Sequence, residues 1–161
     1  MMGLLRRWRP IKIIMTEGVK VGILNFYEQF AEPVEKGIKT QTIRKVRKRP
    51  IKVGETLYLY TGNRFKRTQR LLCKGKCTQV KNVLISNPFA THSIDIYLDG
   101  TRLNKEEAEA FCIADGFESM IDFAKFFHKQ HRLPFFGAFI KWKLVKEPTG
   151  VVARVKKALG C

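Results

Sequence analysis

The sequence predicts a single α+β domain, in which a small curved sheet or barrel carries packed helices. The chain has 161 residues, which is enough for one ordinary core but not for two. Its proportions of hydrophobic residues (45%) and charged residues (28%) are typical of a folded globular protein. Several short stretches alternate as strands do, and two segments in the second half have helical character. These observations together favour a mixed fold.

The first half of the domain is predicted to hold one short helix among strands. Glu28–Lys36 has helical character, and Gly37 behind it is typical of a helix end. Pro33 should limit this helix, because proline fits comfortably only in a first turn. Branched and aromatic residues indicate strands in four stretches: Val19–Phe26, Thr56–Thr61, Arg70–Val80 and Val83–Ser86.

The second half is predicted to contain two capped helices between strands. The strands are Ile94–Leu98, which the turn Asp99-Gly100 closes, and Phe135–Leu144. Asn104 should cap an acidic helix that runs to about Ala114 and ends at Asp115-Gly116. Ser119 should cap a second helix, whose apolar residues recur at three- and four-residue spacing: Met120, Phe123, Phe126 and Phe127. This spacing predicts a core-facing stripe.

The charge of the chain predicts an anionic partner. Lysine and arginine total 31 against 14 acidic residues, so the net charge is +17. Two blocks, Lys36–Lys52 and Arg64–Lys81, contain eight and seven basic residues and no acid. Such blocks attract nucleic acid, although a basic run can also be only solvated surface. The candidate nucleic-acid contacts are Lys39, Arg44, Lys45, Arg47, Lys48, Arg49, Arg64, Arg67 and Arg70.

Several classes of protein are disfavoured. The apolar runs are shorter than the 18 residues that a membrane-spanning helix needs, and the N-terminus lacks the apolar stretch of a signal peptide. We therefore expect a cytoplasmic protein with free thiols and without a membrane partner. Basic tails at 1–18 and 147–161 should flank a domain at 19–146.

We expect no metal or cofactor. The spacings Cys73/Cys77 and His128/His131 invite a zinc interpretation. In a strand, however, the two cysteines would lie about 13 Å apart, too far for one ion. The neighbouring lysines would also oppose a dication.

The most informative segment for chemistry is Glu35–Arg44 (EKGIKTQTIR). In an extended stretch side chains alternate, so Thr42 and Arg44 share one face and Lys39 lies on the other unless the chain turns at Thr40. Lys39 is a candidate phosphate ligand, or a base if burial lowers its pKa. The pattern alone favours phosphate binding.

Several motifs occur in an order that resembles one family. They are the helix followed by G-x-K-T-x-T-I-R, then VGETLYLY at 53–60, YTGNR at 60–64, LDG at 98–100, DGF at 115–117 and FGAFIKW at 136–142. Together they resemble the ASCH domain of the PUA-like superfamily, over roughly Val21–Leu144. The match looks closest to small ASCH proteins of bacteria and their phages.

The resemblance implies a PUA-like β-barrel with packed helices, and a cleft lined by the K-T-x-T-I-R segment that binds RNA or a modified nucleoside. One branch of the family hydrolyses the acyl group of N4-acetylcytidine. The resemblance to that branch implies that Thr42 is the nucleophile, Lys39 the base, and Asp115 the group that orients lysine or substrate. Asp115 is one methylene shorter than the glutamate of that branch. Ribonuclease activity is also associated with the family.

The sequence leaves several functions open. Binding without chemistry, deacylation and RNA cleavage are all compatible with the motifs, and the acidic helix around Glu106 could serve a protein adaptor instead. Asp115 could also be only a turn residue between two helices. A shared site requires Lys39, Thr42, Arg44 and Asp115 to converge in one pocket.

Overall fold

The computed structural model describes residues 20–87 and 93–146, so the predicted basic tails lie outside the described residues. The described strands are β1 Val21–Phe26, β2 Gln41–Arg44, β3 Thr56–Thr61, β4 Arg70–Ser86, β5 Asp95–Leu98, β6 Thr101–Arg102 and β7 Phe135–Leu144. The described helices are α1 Glu28–Glu35, α2 Lys105–Ala114 and α3 Met120–His131. The chain therefore has the predicted α+β composition.

The seven strands form one mixed sheet. β1 pairs with β3 in parallel, and the other pairs are antiparallel. The strand order is β1-β3-β4-β7-β2, while β5 and β6 extend the sheet from the far end of β4. Within residues 20–87 and 93–146 the strand pairing does not close into a barrel.

The prediction of two strands between residues 70 and 86 is wrong, because β4 is a single strand of 17 residues. It is continuous because β7 pairs along most of its length, across an irregularity between Cys77 and Gln79. Gly75 is needed where β4 crosses the Trp142 indole, since a Cβ there would lie 2.8 Å from the ring. The gap between the two predicted strands, at Lys81 and Asn82, is part of β4, because these residues pair with Phe139 and Ala138 of β7.

The predicted helix Glu28–Lys36 is confirmed to within one residue, as α1. Pro33 lies inside the helix, which continues to Glu35. The Pro33 carbonyl accepts hydrogen bonds from the amides of Ile38 and Lys39, at 2.9 Å each, and Gly37 takes a positive φ of 74°. Pro33 has no N–H to donate to the carbonyl four residues before it, so α1 has one hydrogen bond fewer than a regular helix. The turn that follows places Lys39 directly before β2.

The predicted helix caps are confirmed. Asn104 and Glu107 form a capping box at the start of α2, and the Ser119 hydroxyl accepts a hydrogen bond from the Asp122 amide at the start of α3. Asp115 is the C-terminal cap of α2, and Gly116 behind it has φ 99°. The α2–α3 connection is therefore a tight turn with Asp115 at its first position.

The core consists of two hydrophobic clusters. One lies between α2, α3 and the β5 end of the sheet, and the other between α1 and the β1–β3 side. Leu57, Leu59 and Trp142 are fully buried in the second cluster. Phe117 and Phe126 pack against both clusters and join them.

Three findings concern the helices, the cysteine thiols and the metal-ligating side chains of the described residues. None of the helices in the described ranges is long and apolar enough to cross a membrane. Cys73, Cys77 and Cys112 are free thiols, whereas Cys161 lies outside the described residues. No group of three metal-ligating side chains occurs in the part of the chain that the structure describes.

Candidate ligand cleft

A cleft of about 360 Å³ opens where β1, the start of β2 and the helices meet. The segment before β2 forms its floor with the α2–α3 turn, and α1 and α3 form its walls. The lining residues are Asn25, Phe26, Tyr27, Phe30, Lys39, Thr42, Ile43, Arg44, Lys45, Val46, Arg47, Asp115, Phe117, Phe126, Phe127 and His131. All four residues expected to converge are among them.

A buried ion pair occupies the floor of the cleft. The Lys39 ammonium lies 3.2 Å from Asp115 Oδ1 and also donates a hydrogen bond to the Asp115 carbonyl oxygen. The side chains are only 2% and 6% exposed. Because 76 positions separate these residues, their contact depends on the whole fold. The interpretation of Asp115 as only a turn residue is therefore incomplete, since it is both the helix cap and the partner of Lys39.

Backbone geometry brings the two partners together. The Pro33 carbonyl holds the Lys39 amide, which fixes the lysine at the end of the α1 turn. On the opposite side, a Cβ at Gly116 would lie 3.1 Å from the Phe30 ring and 3.2 Å from the Lys39 side chain. Glycine at 116 therefore serves both the positive φ and the close approach of Lys39 to the turn.

Thr42 and Arg44 form the strand side of the cleft. Arg44 Nε donates a hydrogen bond of 3.3 Å to Thr42 Oγ1, and the guanidinium lies 4.7 Å from the Phe26 ring centroid. Strict alternation placed Lys39 on the opposite face from Thr42. Both nevertheless line the cleft, because β2 begins only at Gln41 and the preceding turn frees Lys39 from the alternation.

Burial shifts the acid–base properties of these groups. Desolvation raises the pKa of Asp115 to about 6, although the Lys39 and Arg44 charges oppose the shift. Desolvation also lowers the pKa of Lys39, and Asp115 opposes this change. The pKa of Arg44 falls to about 10, first through burial and then through the nearby Arg47 charge. The floor of the cleft thus combines an ammonium that releases its proton more readily than usual with a carboxyl that titrates near neutrality.

An aromatic wall faces the ion pair. Phe30, Phe117 and Phe126 contact one another at ring centroid distances of 5.2 to 6.0 Å. Tyr27 packs edge-on against Phe126 at 5.9 Å and is 58% exposed at the rim. The helical spacing predicted Phe126 as a core residue, which it partly is. Its second role in the cleft could not be inferred, because a stripe at core spacing does not show which residues border a cavity.

His131 also lines the cleft, and the sequence indicated it only through the zinc spacing with His128, not as a residue of this site. Its ring lies 4.8 Å from the Phe135 ring and 5.5 Å from the Phe127 ring. Burial lowers its pKa, and the Lys45 and Arg44 charges add to the effect. Its buried Nδ1 makes no hydrogen bond within the described residues. The ring is therefore expected to be neutral at pH 7.

The predicted nucleic-acid contacts fall into separate groups. Lys45 and Arg47 lie on the rim of the cleft. Lys48 and Arg49 are exposed on the chain that leads away from it, and Arg64 and Arg67 are exposed in the β3–β4 connection.

Arg70 differs from the other predicted nucleic-acid contacts on the surface, because it is paired with acids. Its guanidinium lies 3.4 Å from a Glu35 carboxylate oxygen and 3.8 Å from one of Glu28. Its charge is therefore partly neutralised, and we expect it to contribute least to binding a polyanion.

The predicted convergence of Lys39, Thr42, Arg44 and Asp115 is thus confirmed as geometry, while their roles stay predictions. Comparisons with known proteins add nothing to the site, since no family model, curated protein or solved structure matches the chain.

Proposed function

We propose that this chain is an ASCH-type, PUA-like protein whose cleft binds a nucleobase or nucleoside and whose basic surface holds RNA. The observation that carries the proposal is an aromatic wall facing buried charged groups across about 360 Å³. Cavities of this size, largely apolar with a few converging polar groups, are typical of small-ligand sites. Aromatic side chains and arginine planes are the usual platforms for an unstacked base.

The charges divide the surface into two parts. The Lys39 ammonium is buried and already paired, so only a group that enters the cleft can reach it. Lys45 and Arg47 lie at the rim, where phosphates of a bound strand would pass. A nucleobase inside the cleft and phosphates at its rim would therefore match this distribution of charge. The distribution supports recognition of a nucleoside in the cleft over binding of a phosphate by Lys39.

The test is binding of cytidine and of a short single-stranded RNA to the wild type and to Lys39→Met. We expect the variant to lose at least tenfold in cytidine affinity, because it removes the charged donor from the floor of the cleft. Lys36→Met is the matched control, since Lys36 pairs with Glu32 in solvent and lies outside the cleft. Equal affinity of wild type and Lys39→Met for cytidine would contradict the proposal.

A second candidate function is hydrolysis of an acylated cytidine. It is favoured by one observation: the Thr42 hydroxyl lines the same cleft as a buried lysine whose pKa is lowered. The neutral Lys39 amine would accept the Thr42 proton while Thr42 Oγ1 attacks the acyl carbonyl carbon. The proton would then pass to the departing cytidine amine as the C–N bond breaks. Water would cleave the threonine ester, giving the free acid and regenerating the hydroxyl.

The two remaining charged groups would assist this reaction. Asp115 would hold Lys39 in position, and the Arg44 guanidinium beside Thr42 Oγ1 would stabilise negative charge on the acyl oxygen. Incubation with N4-acetylcytidine, with cytidine release followed by chromatography, tests the proposal. Thr42→Val should abolish turnover and leave cytidine binding intact. The neighbouring Thr40→Val, outside the cleft lining, should leave both turnover and binding unchanged. No cytidine release by the wild type would reject the enzyme and leave the binding proposal in place.

A further inference from the structure

Phe65 is an exposed aromatic residue that lies outside the cleft lining. Phe65 is 95% exposed, and it stands in the β3–β4 connection between Arg64 and Lys66, with Arg67 next along the chain. No acidic residue occurs between positions 62 and 69. A fully exposed phenylalanine contributes nothing to the core, and three cations stand beside this one in the chain.

The connection holds Phe65 in a defined position. The Asn63 side chain accepts hydrogen bonds from the amides of Phe65 and Lys66, at 2.8 and 3.2 Å, and the Asn63 amide donates to Thr68 Oγ1 at 2.9 Å. Gly62 has φ 89°, and a Cβ there would lie 2.2 Å from the Thr68 carbonyl oxygen. The loop that carries the exposed Phe65 ring is thus held by hydrogen bonds between its own residues.

A groove connects this loop to the ligand cleft. It has a volume of about 640 Å³, and its lining includes Phe65, Arg64 and Gln69. Glu28 is the acid in this lining, and its carboxylate lies 3.8 Å from the Arg70 guanidinium and accepts a hydrogen bond from the Thr61 hydroxyl. Asn25, Phe26 and Tyr27 line both the groove and the cleft, and Asn25 donates a hydrogen bond of 3.0 Å to the Gly62 carbonyl. A chain leaving the cleft therefore meets Phe65 along a continuous surface.

We propose that Phe65 is a stacking platform for a nucleotide of single-stranded RNA adjacent to the one held in the cleft, and that Arg64, Lys66 and Arg67 hold the flanking phosphates. The proposal rests on the RNA-binding function proposed above. Stacking on an aromatic ring flanked by basic side chains is the general mode of single-strand recognition, and it accepts any base. A protein partner would favour apolar neighbours around Phe65, whereas its neighbours along the chain, Arg64 and Lys66, are cations.

The test compares binding of an eight-residue oligoadenylate, rA8, by the wild type and Phe65 variants. Phe65→Ala should lose about 5- to 150-fold in affinity, the range for one stacked base. Phe65→Trp should retain affinity, and its added fluorescence should be quenched by rA8. The salt dependence should not change, because no charge is removed. Phe136→Ala is the matched control, since Phe136 is 70% exposed on β7 and lies in neither cavity lining.

The outcomes separate this inference from the function on which it rests. Cytidine affinity should be the same in Phe65→Ala and the wild type, and a parallel loss of both affinities would overturn the stacking role. Undiminished rA8 binding by Phe65→Ala, with the wild type binding well, also overturns it and leaves the proposed function standing. Failure of the wild type itself to bind rA8 rejects the RNA function first. Self-association that Phe65→Ala abolishes, with unchanged rA8 affinity, would assign the ring to a second copy instead.

Discussion

Replacing Asp115 with asparagine should destabilise the protein strongly at neutral pH and less at higher pH. The variant leaves the Lys39 ammonium, 2% exposed, without its charged partner. Breaking a buried ion pair from one side typically costs about 3–5 kcal/mol. Lys39 can avoid the cost of a buried unpaired charge by releasing its proton. From its ordinary pKa of 10.5, this costs about 1.4 kcal/mol for each pH unit, or about 5 kcal/mol at pH 7.

The cost of deprotonating Lys39 sets an upper limit on the loss of stability, and this limit depends on pH. At pH 9 the cost of deprotonating Lys39 falls to about 2 kcal/mol, so the loss caused by Asp115→Asn should shrink to that value or less. The sign is fixed by linkage: in the variant the unfolded chain binds a proton on Lys39 that the folded chain does not, so stability rises with pH. The double variant Lys39→Met/Asp115→Asn has no buried charge, and it should recover part of the stability and lose this pH dependence.

Urea unfolding at pH 7 and pH 9, followed by the fluorescence of the buried Trp142, measures these differences. Glu32→Gln is the control, because it breaks the solvent-exposed pair with Lys36 and should leave the midpoint unchanged at both pH values. A loss in Asp115→Asn as small as in the control, or a loss equal at pH 7 and pH 9, would refute a buried charged pair at the floor of the cleft.

Three further outcomes are expected. In salt titrations of RNA binding, Lys48→Ala should reduce the slope of log affinity against log salt by about 0.7, whereas Arg70→Ala should change it less because two carboxylates already hold Arg70. Gly116→Ala should lower the melting temperature more than Gly100→Ala: both have positive φ, costing about 1–3 kcal/mol each, but only Gly116 lacks space for a Cβ. Affinity for short RNA should rise as pH falls through about 6, where Asp115 gains its proton and the site loses a negative charge. The rise should be smaller in Asp115→Asn, where His131 of the cleft lining still gains a proton on acidification.

Much of the fold could be predicted because its signals are local. Caps such as Asn104 and Ser119 and the alternation in Thr56–Thr61 depend on neighbouring residues, and the structure confirms them. The continuity of β4 was missed because the pairing with β7 that sustains it joins residues about 60 positions apart, such as Val80 and Ile140. Local patterns contain no information about such partners.

The site was predictable only in part. The contact between Lys39 and Asp115 was expected from the family resemblance, whereas the alternation of side chains alone placed Lys39 away from Thr42. The aromatic wall and His131 were missed because cavity-lining and core aromatics have the same spacing. Phe65 did carry a usable signal, the run NRFKR, in which a lone aromatic residue stands among cations in a loop.

The double role of Phe117 and Phe126 limits how this protein can diverge. Both rings join the two hydrophobic clusters and border the cleft, so shortening either to make room for a larger ligand would also cost packing in the interior, about 3–5 kcal/mol for phenylalanine to alanine at a fully buried site. Rim positions such as Tyr27, Lys45 and Val46 are exposed and free of that penalty. New ligand preferences in descendants of this chain are therefore expected to arise first at the rim, while the floor and wall change slowly.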